Sequence, residues 1–151
     1  MKIRRATAAD AVTIANFNAA MARETERLEL DRERLLMGVK AVLEDGSKGV
    51  YWVAEVDGEM AGQLMLTFEW SDWRNGCFWW IQSVYVDPAH RGRGIYRAIY
   101  DHVFSLAKED AGVCGLRLYV DGHNRRAQQV YERQGMRRTA YLLYETDFVL
   151  K

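Results

Sequence analysis

The run Val84-Tyr85-Val86-Asp87-Pro88-Ala89-His90-Arg91-Gly92-Arg93-Gly94-Ile95-Tyr96-Arg97-Ala98-Ile99-Tyr100 decides the fold. Its apolar, aromatic start reads as a buried strand that Asp87-Pro88 ends. Beyond Pro88 the apolar spacing becomes Ile95, Ile99, Val103 and Leu106, one stripe of a helix. Gly92 and Gly94, flanked by Arg91 and Arg93, sit between them. A strand feeding a glycine turn into a helix start is a way to hold an anion. The first N–H groups of the helix point outward, its dipole favours negative charge, and glycine lets the backbone come close. Arg91 and Arg93 can fork onto phosphate oxygens.

Three phosphate-binding designs compete for this loop. A nucleoside-triphosphate loop needs Gly-Lys-Ser/Thr, which is missing. The dinucleotide pattern G-x-G-x-x-G starts at Gly92 and Gly94 but meets Arg97 where its last glycine belongs. The third pattern fits better. Arg91-x-x-Gly94-x-Tyr96, directly after the strand, resembles the pyrophosphate loop Arg/Gln-x-x-Gly-x-Gly/Ala of the GNAT superfamily of acyl-CoA-dependent N-acyltransferases. The chain departs from that pattern at Tyr96, whose ring is expected to turn away from the phosphates. A second stretch, Asn124-Arg125-Arg126-Ala127-Gln128-Gln129-Val130-Tyr131-Glu132-Arg133-Gln134-Gly135-Met136, is similar to the second motif of that superfamily, Asn-x-x-Ala-x-x-apolar-Tyr-x-x-x-Gly-aromatic/Met. Every specified position matches.

Charge and composition narrow the alternatives. Acidic and basic residues balance at 21 each, which disfavours a general nucleic-acid or membrane-surface binder. Cys77 and Cys114 stand alone and read as core residues of a reducing compartment, so no disulfide and no metal is expected. Neither a secretory apolar region nor a membrane-length apolar run is visible, and the expectation is a soluble cytoplasmic protein.

Taken in order, Lys2–Arg5 predicts a strand, and Thr7 to Asp10 has the capping-box spacing that starts a helix. Ala11, Ile14, Phe17, Asn18 and Met21 line one side of that helix. Asp31 caps a second helix, with the stripe Leu35, Val39, Val42 and Leu43. Val50–Val56, the turn Asp57-Gly58 and Glu59–Trp70 predict a hairpin. On its second strand Met60, Leu64, Leu66, Phe68 and Trp70 share one face, and Ala61, Gln63, Met65, Thr67 and Glu69 the other. On the central strand, Cys77 to Val86, alternation sets Phe78, Trp80, Gln82, Val84 and Val86 against Trp79, Ile81, Ser83 and Tyr85. After the helix Gly94–Glu109 come a strand Gly115–Val120, a helix closed by Gly135 and a last β run, Arg137–Phe148. The order predicts an α/β (α+β) fold, a mixed, mostly antiparallel sheet with helices on both faces, in one domain spanning 1–151.

The resemblance implies an acetyl-CoA-dependent N-acetyltransferase acting by direct attack of a primary amine in a ternary complex. A non-catalytic acyl-CoA-binding module is the alternative. In the family the coenzyme A arm adds like a strand to the backbone that is here Val84, Tyr85 and Val86. Its pyrophosphate meets Arg91, Gly92, Arg93, Gly94, Ile95 and Tyr96. By the same resemblance Asn124 contacts pantetheine, and Tyr131 is the general acid that protonates the leaving sulfur. From the residues alone, Asn124 is equally a helix cap and Tyr131 a proton donor. Glu69 is the first candidate for the base that deprotonates the amine, with Asp72 and Glu24 behind it. Glu24, Trp70, Asp72 and Trp73 are candidates for the acceptor pocket, where carboxylates and rings would hold a cationic amine. Small amine, antibiotic, amino acid and protein N-terminus stay open as acceptors. Family members often pair, so a homodimer is compatible with the chain.

Overall fold

The computed structural model describes residues 1–150 and divides the chain into two compact units, the first ending at Leu118 and the second beginning at Tyr119. The first unit carries strands β1 (Lys2–Arg5), β2 (Val50–Val56), β3 (Glu59–Ser71), β4 (Gly76–Val86) and β5 (Val113–Arg117). It also carries helices α1 (Ala11–Glu26), α2 (Arg32–Glu44) and α3 (Ile95–Glu109). The strands lie in sequence order in one sheet. Neighbours are antiparallel from β1 to β4, and β5 is parallel to β4. Parallel neighbours need a long crossover, and α3 supplies it. This is the mixed, mostly antiparallel α/β sheet that the sequence predicts.

Local chemistry explains the element ends. The Thr7 N–H donates to Asp10 Oδ2 at 2.7 Å, and Arg4 grips the same carboxylate through two nitrogens at 2.8 and 2.9 Å. The start of α1 is thereby tied to β1. Buried Ala11, Ile14, Ala15, Asn18, Ala19 and Ala22 then recur at helical spacing. Asp31 caps α2 by accepting from the Arg34 N–H at 3.1 Å. Asp57 (φ 52°) and Gly58 (φ 78°) both turn left-handed, as a tight two-residue hairpin requires.

Helices cover both faces. On one side Tyr51 packs with Ala11, Ile14, Ala15 and Val39 of α1 and α2, with Met60 and Met65 against them. On the other, Ile95, Ile99 and Val103 of α3 are buried, and Trp52 meets His102 edge-on at 4.7 Å. A Cβ on Gly62 would stand 2.8 Å from Ile95 Cγ2, so α3 and β3 touch where there is no side chain.

Four sequence expectations need correction. At Ala54/Glu55 the β2–β3 register shifts, with Ala61 as the extra residue, so Met60 leaves the face of Leu64 and packs with Met65. A second shift, between Gln63 and Met65, places three steps of β4 against two of β3 and moves Tyr85 to the face of Gln82. The strand expected at Gly115–Val120 runs Val113–Arg117. Among the described residues, 137–148 holds no strand. A strand exists through its ladder. The apolar residues here form the run Tyr141-Leu142-Leu143-Tyr144, not an alternation, and all four are exposed.

The second unit contains α4 (Arg125–Arg133). Asn124 caps it by accepting from the Ala127 N–H at 3.1 Å, and Gly135 (φ 90°) follows its end.

Candidate active site

Behind β4, Asp87 Oδ1 accepts from the Ala89 N–H at 3.1 Å and starts a short 3-10 turn, Pro88–His90. The chain then passes through extended Arg91 to Gly92 (φ 80°) and Gly94 (φ 75°) before α3 begins. Both glycines sit where an L side chain is strained, and a Cβ on either would meet nothing within 4 Å. The loop backbone is therefore uncrowded at both glycines, with the first turn of a fifteen-residue helix directly after it. Buried Ile95 anchors that turn from below. Arg93 is exposed. The Tyr96 ring lies 6.1 Å from Tyr100, which itself stacks on Phe104, so the ring follows the helix.

Arg91 is held from several sides. Its Nε donates to the Val86 carbonyl at 3.0 Å, and its Nη2 donates to Glu24 Oε2 at 3.0 Å. Its guanidinium carbon stands 5.3 Å from the centre of the Tyr85 ring. The Tyr85 hydroxyl donates to the other Glu24 oxygen at 3.1 Å, and the ring packs on Phe17 at 5.2 Å. Burial, then the Glu24 carboxylate, pushes the Tyr85 phenol up from its ordinary value. Glu24, near the end of α1, thus stands beside β4 and the glycine loop.

The kink of β4 lies at Ser83 (φ 51°), a serine in the left-handed region inside a strand. Its carbonyl accepts from Gln63 Nε2 at 3.1 Å. On its other edge β4 pairs with β5 only as far as Trp80, opposite Arg117, whereas its ladder to β3 continues to Val86. β5 ends at Arg117, so its ladder does not reach Val84, Tyr85 and Val86.

The remaining candidates lie at the far end of the β3–β4 hairpin. Glu69 is opposite Phe78, and its Oε1 accepts from Arg117 at 2.7 Å. Arg117 in turn covers the Phe78 ring at 3.7 Å. At the usual rise of about 3.3 Å per residue, Phe78 is roughly 16 Å along β4 from Ser83. Trp70 (64% exposed), Asp72 and Trp73 (86% exposed) form the hairpin tip with them. The structure therefore groups Glu69, Trp70, Asp72 and Trp73 together and sets Glu24 apart. In the second unit, Tyr131 lies on α4, and burial pushes its phenol above the ordinary value.

Sequence reasoning missed Gln63, Asn18 and Tyr51 as a connected group. The available signal was one amide, Gln63, midway along an otherwise apolar strand stretch. Among the described residues no group of three His, Cys, Asp or Glu could hold a metal. Among the described residues no helix is long and apolar enough to cross a membrane.

A mixed sheet whose β4 kinks and runs into a left-handed glycine loop is the architecture of the GNAT acyltransferases. Residues 14–136 match the model of the acetyltransferase (GNAT) family. The uncharacterized N-acetyltransferase YhfO of Bacillus subtilis is 32% identical over 139 residues, 89% of each chain. Mycothiol acetyltransferase of Beutenbergia cavernae is 33% identical over 84 residues, 56% of this chain but only 27% of that protein. The crystal structure of a possible acetyltransferase from Clostridium difficile 630 superposes with a TM-score of 0.92 at 44% identity, covering 98% of this chain and 97% of that one. The chain belongs to the GNAT acetyltransferase family.

Proposed function

We propose that this chain transfers an acetyl group from acetyl-CoA to a primary amine by direct attack, with no covalent intermediate on the protein, and that both units serve one N-acetyltransferase domain. The observation that carries the reading is the pair of left-handed glycines directly after a stretch of β4 that the β5 ladder does not reach. That geometry fits a pyrophosphate followed by an extended arm. The donor supplies a thioester-activated acyl group. Arg91, Gly92, Arg93, Gly94, Ile95 and Tyr96 hold the phosphates, with Tyr96 contributing its backbone, and Val84, Tyr85 and Val86 align the arm. The cap bond of Asn124 uses its amide oxygen, so its amide N–H groups are separate donors for pantetheine. Tyr131 gives a proton to the departing sulfur.

For the acceptor we assign the anchoring carboxylate to Glu24. Its oxygens lie against β4 and the loop, whereas Glu69 lies at the hairpin tip, paired with Arg117 as Glu24 is with Arg91. The reading is tested by thiol release from acetyl-CoA across a panel of primary amines, with coenzyme A affinity measured in parallel. Amine-dependent thiol release supports transfer. Tight binding without release to any amine would instead identify a non-catalytic acyl-CoA-binding module.

A further inference from the structure

Gln63 is fully buried in the middle of β3. Its Nε2 donates to Asn18 Oδ1 at 2.8 Å and to the Ser83 carbonyl at 3.1 Å. Because that carbonyl can only accept, the amide must present its nitrogen there. Asn18 Nδ2 donates onward to the Tyr51 hydroxyl at 3.1 Å, and Tyr51 is also within hydrogen-bonding reach of the Ser83 side chain. All three side chains are at least nine-tenths buried. Amides and phenols from α1, β2 and β3 therefore converge on one residue of β4. That residue is the one in the left-handed conformation, at the register shift.

Buried polar groups are expensive unless paired, and a bulge re-aims the residues beyond it in the strand. Gln63 Oε1 is buried with no partner among the protein atoms. A core built only for stability would place an apolar residue at this position. The direction of the donor explains the alternative use, and this step rests on the function proposed above. With phosphates at Gly92–Gly94, close behind Val86 in the chain, an arm laid along the part of β4 beyond its β5 ladder runs from Val86 back towards Ser83. Its reactive end arrives at the bulge.

We propose that Gln63, Asn18 and Tyr51 are positioning residues for acyl transfer, clamping the Ser83 bulge so that the N–H groups beyond it and Tyr85 meet the acyl end in a fixed orientation. None of the three touches the reacting atoms. Gln63→Met keeps the side-chain length and removes both donor bonds. Turnover at saturating acetyl-CoA should fall about tenfold or more, while coenzyme A affinity changes less than about threefold, since misorientation acts in the transition state. Tyr51→Phe removes the Asn18 bond and the contact with the Ser83 side chain but leaves both Gln63 bonds, and should lower turnover by about two- to fivefold. A merely structural role would lower melting temperature and coenzyme A affinity together and leave turnover per folded molecule at the parental value. That result, in Gln63→Met or, should it not fold, in Tyr51→Phe, overturns the proposal. A parent protein that binds no coenzyme A would instead overturn the functional reading on which the proposal stands.

Discussion

The Tyr85 hydroxyl donates to Glu24 Oε1 at 3.1 Å, while Arg91 donates to Oε2 of the same carboxylate at 3.0 Å. One side chain near the end of α1 therefore holds both β4 and the glycine loop. The contact depends on the backbone at Ser83. Strict alternation would put Tyr85 on the opposite sheet face, beneath α3. The extra residue reverses the parity and delivers the ring to Phe17 and Glu24 instead.

That relationship makes Glu24→Gln informative. The Glu24–Arg91 pair is about half exposed, at 43% and 48%, and such pairs contribute at most about 1 kcal/mol. Stability should hardly change. If Glu24 anchors the ammonium, KM for a cationic amine should rise about tenfold, with coenzyme A affinity within about threefold. Steady-state kinetics with both substrates varied checks this. An unchanged amine KM would remove Glu24 from the acceptor side.

The glycine loop can be tested against an internal control. Gly94 and Gly58 both have strongly positive φ, 75° and 78°, and open space where a Cβ would go. A side chain at either should cost about 1–2 kcal/mol of stability through the backbone alone. Only Gly94→Val should also weaken coenzyme A binding, by about tenfold or more in titration calorimetry. Gly58→Val should match the parent. Equal affinities for all three proteins would refute the phosphate assignment.

Acid stability should report on Asp10. The bidentate hydrogen bonds from Arg4 hold its carboxyl below the ordinary value, against the opposing effect of burial. A depressed folded-state pKa contributes stability that is present above the unfolded value, near about 4, and lost as pH falls through the folded one. Denaturant unfolding should therefore show the parent weakening below about pH 4. Asp10→Asn should be less stable at pH 7 by about 1.5–3 kcal/mol, having lost hydrogen bonds between charged partners. Its stability should vary less over the acid range. Parallel pH profiles for the two proteins would show that Asp10 is not responsible.

Much of the fold is legible because it is local. Asp57-Gly58 dictates the hairpin, Asp31 the start of α2, and Gly92 and Gly94 the loop before α3. What the sequence hides is non-local. A register shift adds a residue without changing composition, so the faces of Met60 and Tyr85 cannot be counted off by twos. That 137–148 holds no strand, among the described residues, is equally invisible to propensity, because β-prone residues form a strand only where a ladder partner exists. At the candidate site, the loop residues follow from their motif. Glu24 is named as a candidate by its residue type, but its contact with Arg91, 67 residues away, is not legible, and neither is Gln63, whose partner Ser83 lies 20 residues away.

The proton donor is the last and sharpest test. Tyr131 sits on α4, whose first turn is fixed by the Asn124 cap and whose end is closed by the Met136 N–H donating to the Tyr131 carbonyl at 3.1 Å. A thiolate is a poor leaving group without a proton, and positioned acid catalysis typically contributes about 10²–10⁴-fold. Burial raises the phenol's pKa, so the neutral, donating form persists beyond the usual ionisation near about 10. Any loss of activity due to Tyr131 ionisation should therefore appear only above that pH. Tyr131→Phe keeps the ring and loses the donor. Turnover should fall by roughly one to two orders of magnitude with nearly unchanged coenzyme A affinity, because the missing interaction belongs to the transition state. A phenylalanine variant that turns over at the parental rate, with chemistry limiting, would reduce Tyr131 to a packing residue and leave the leaving sulfur to another donor.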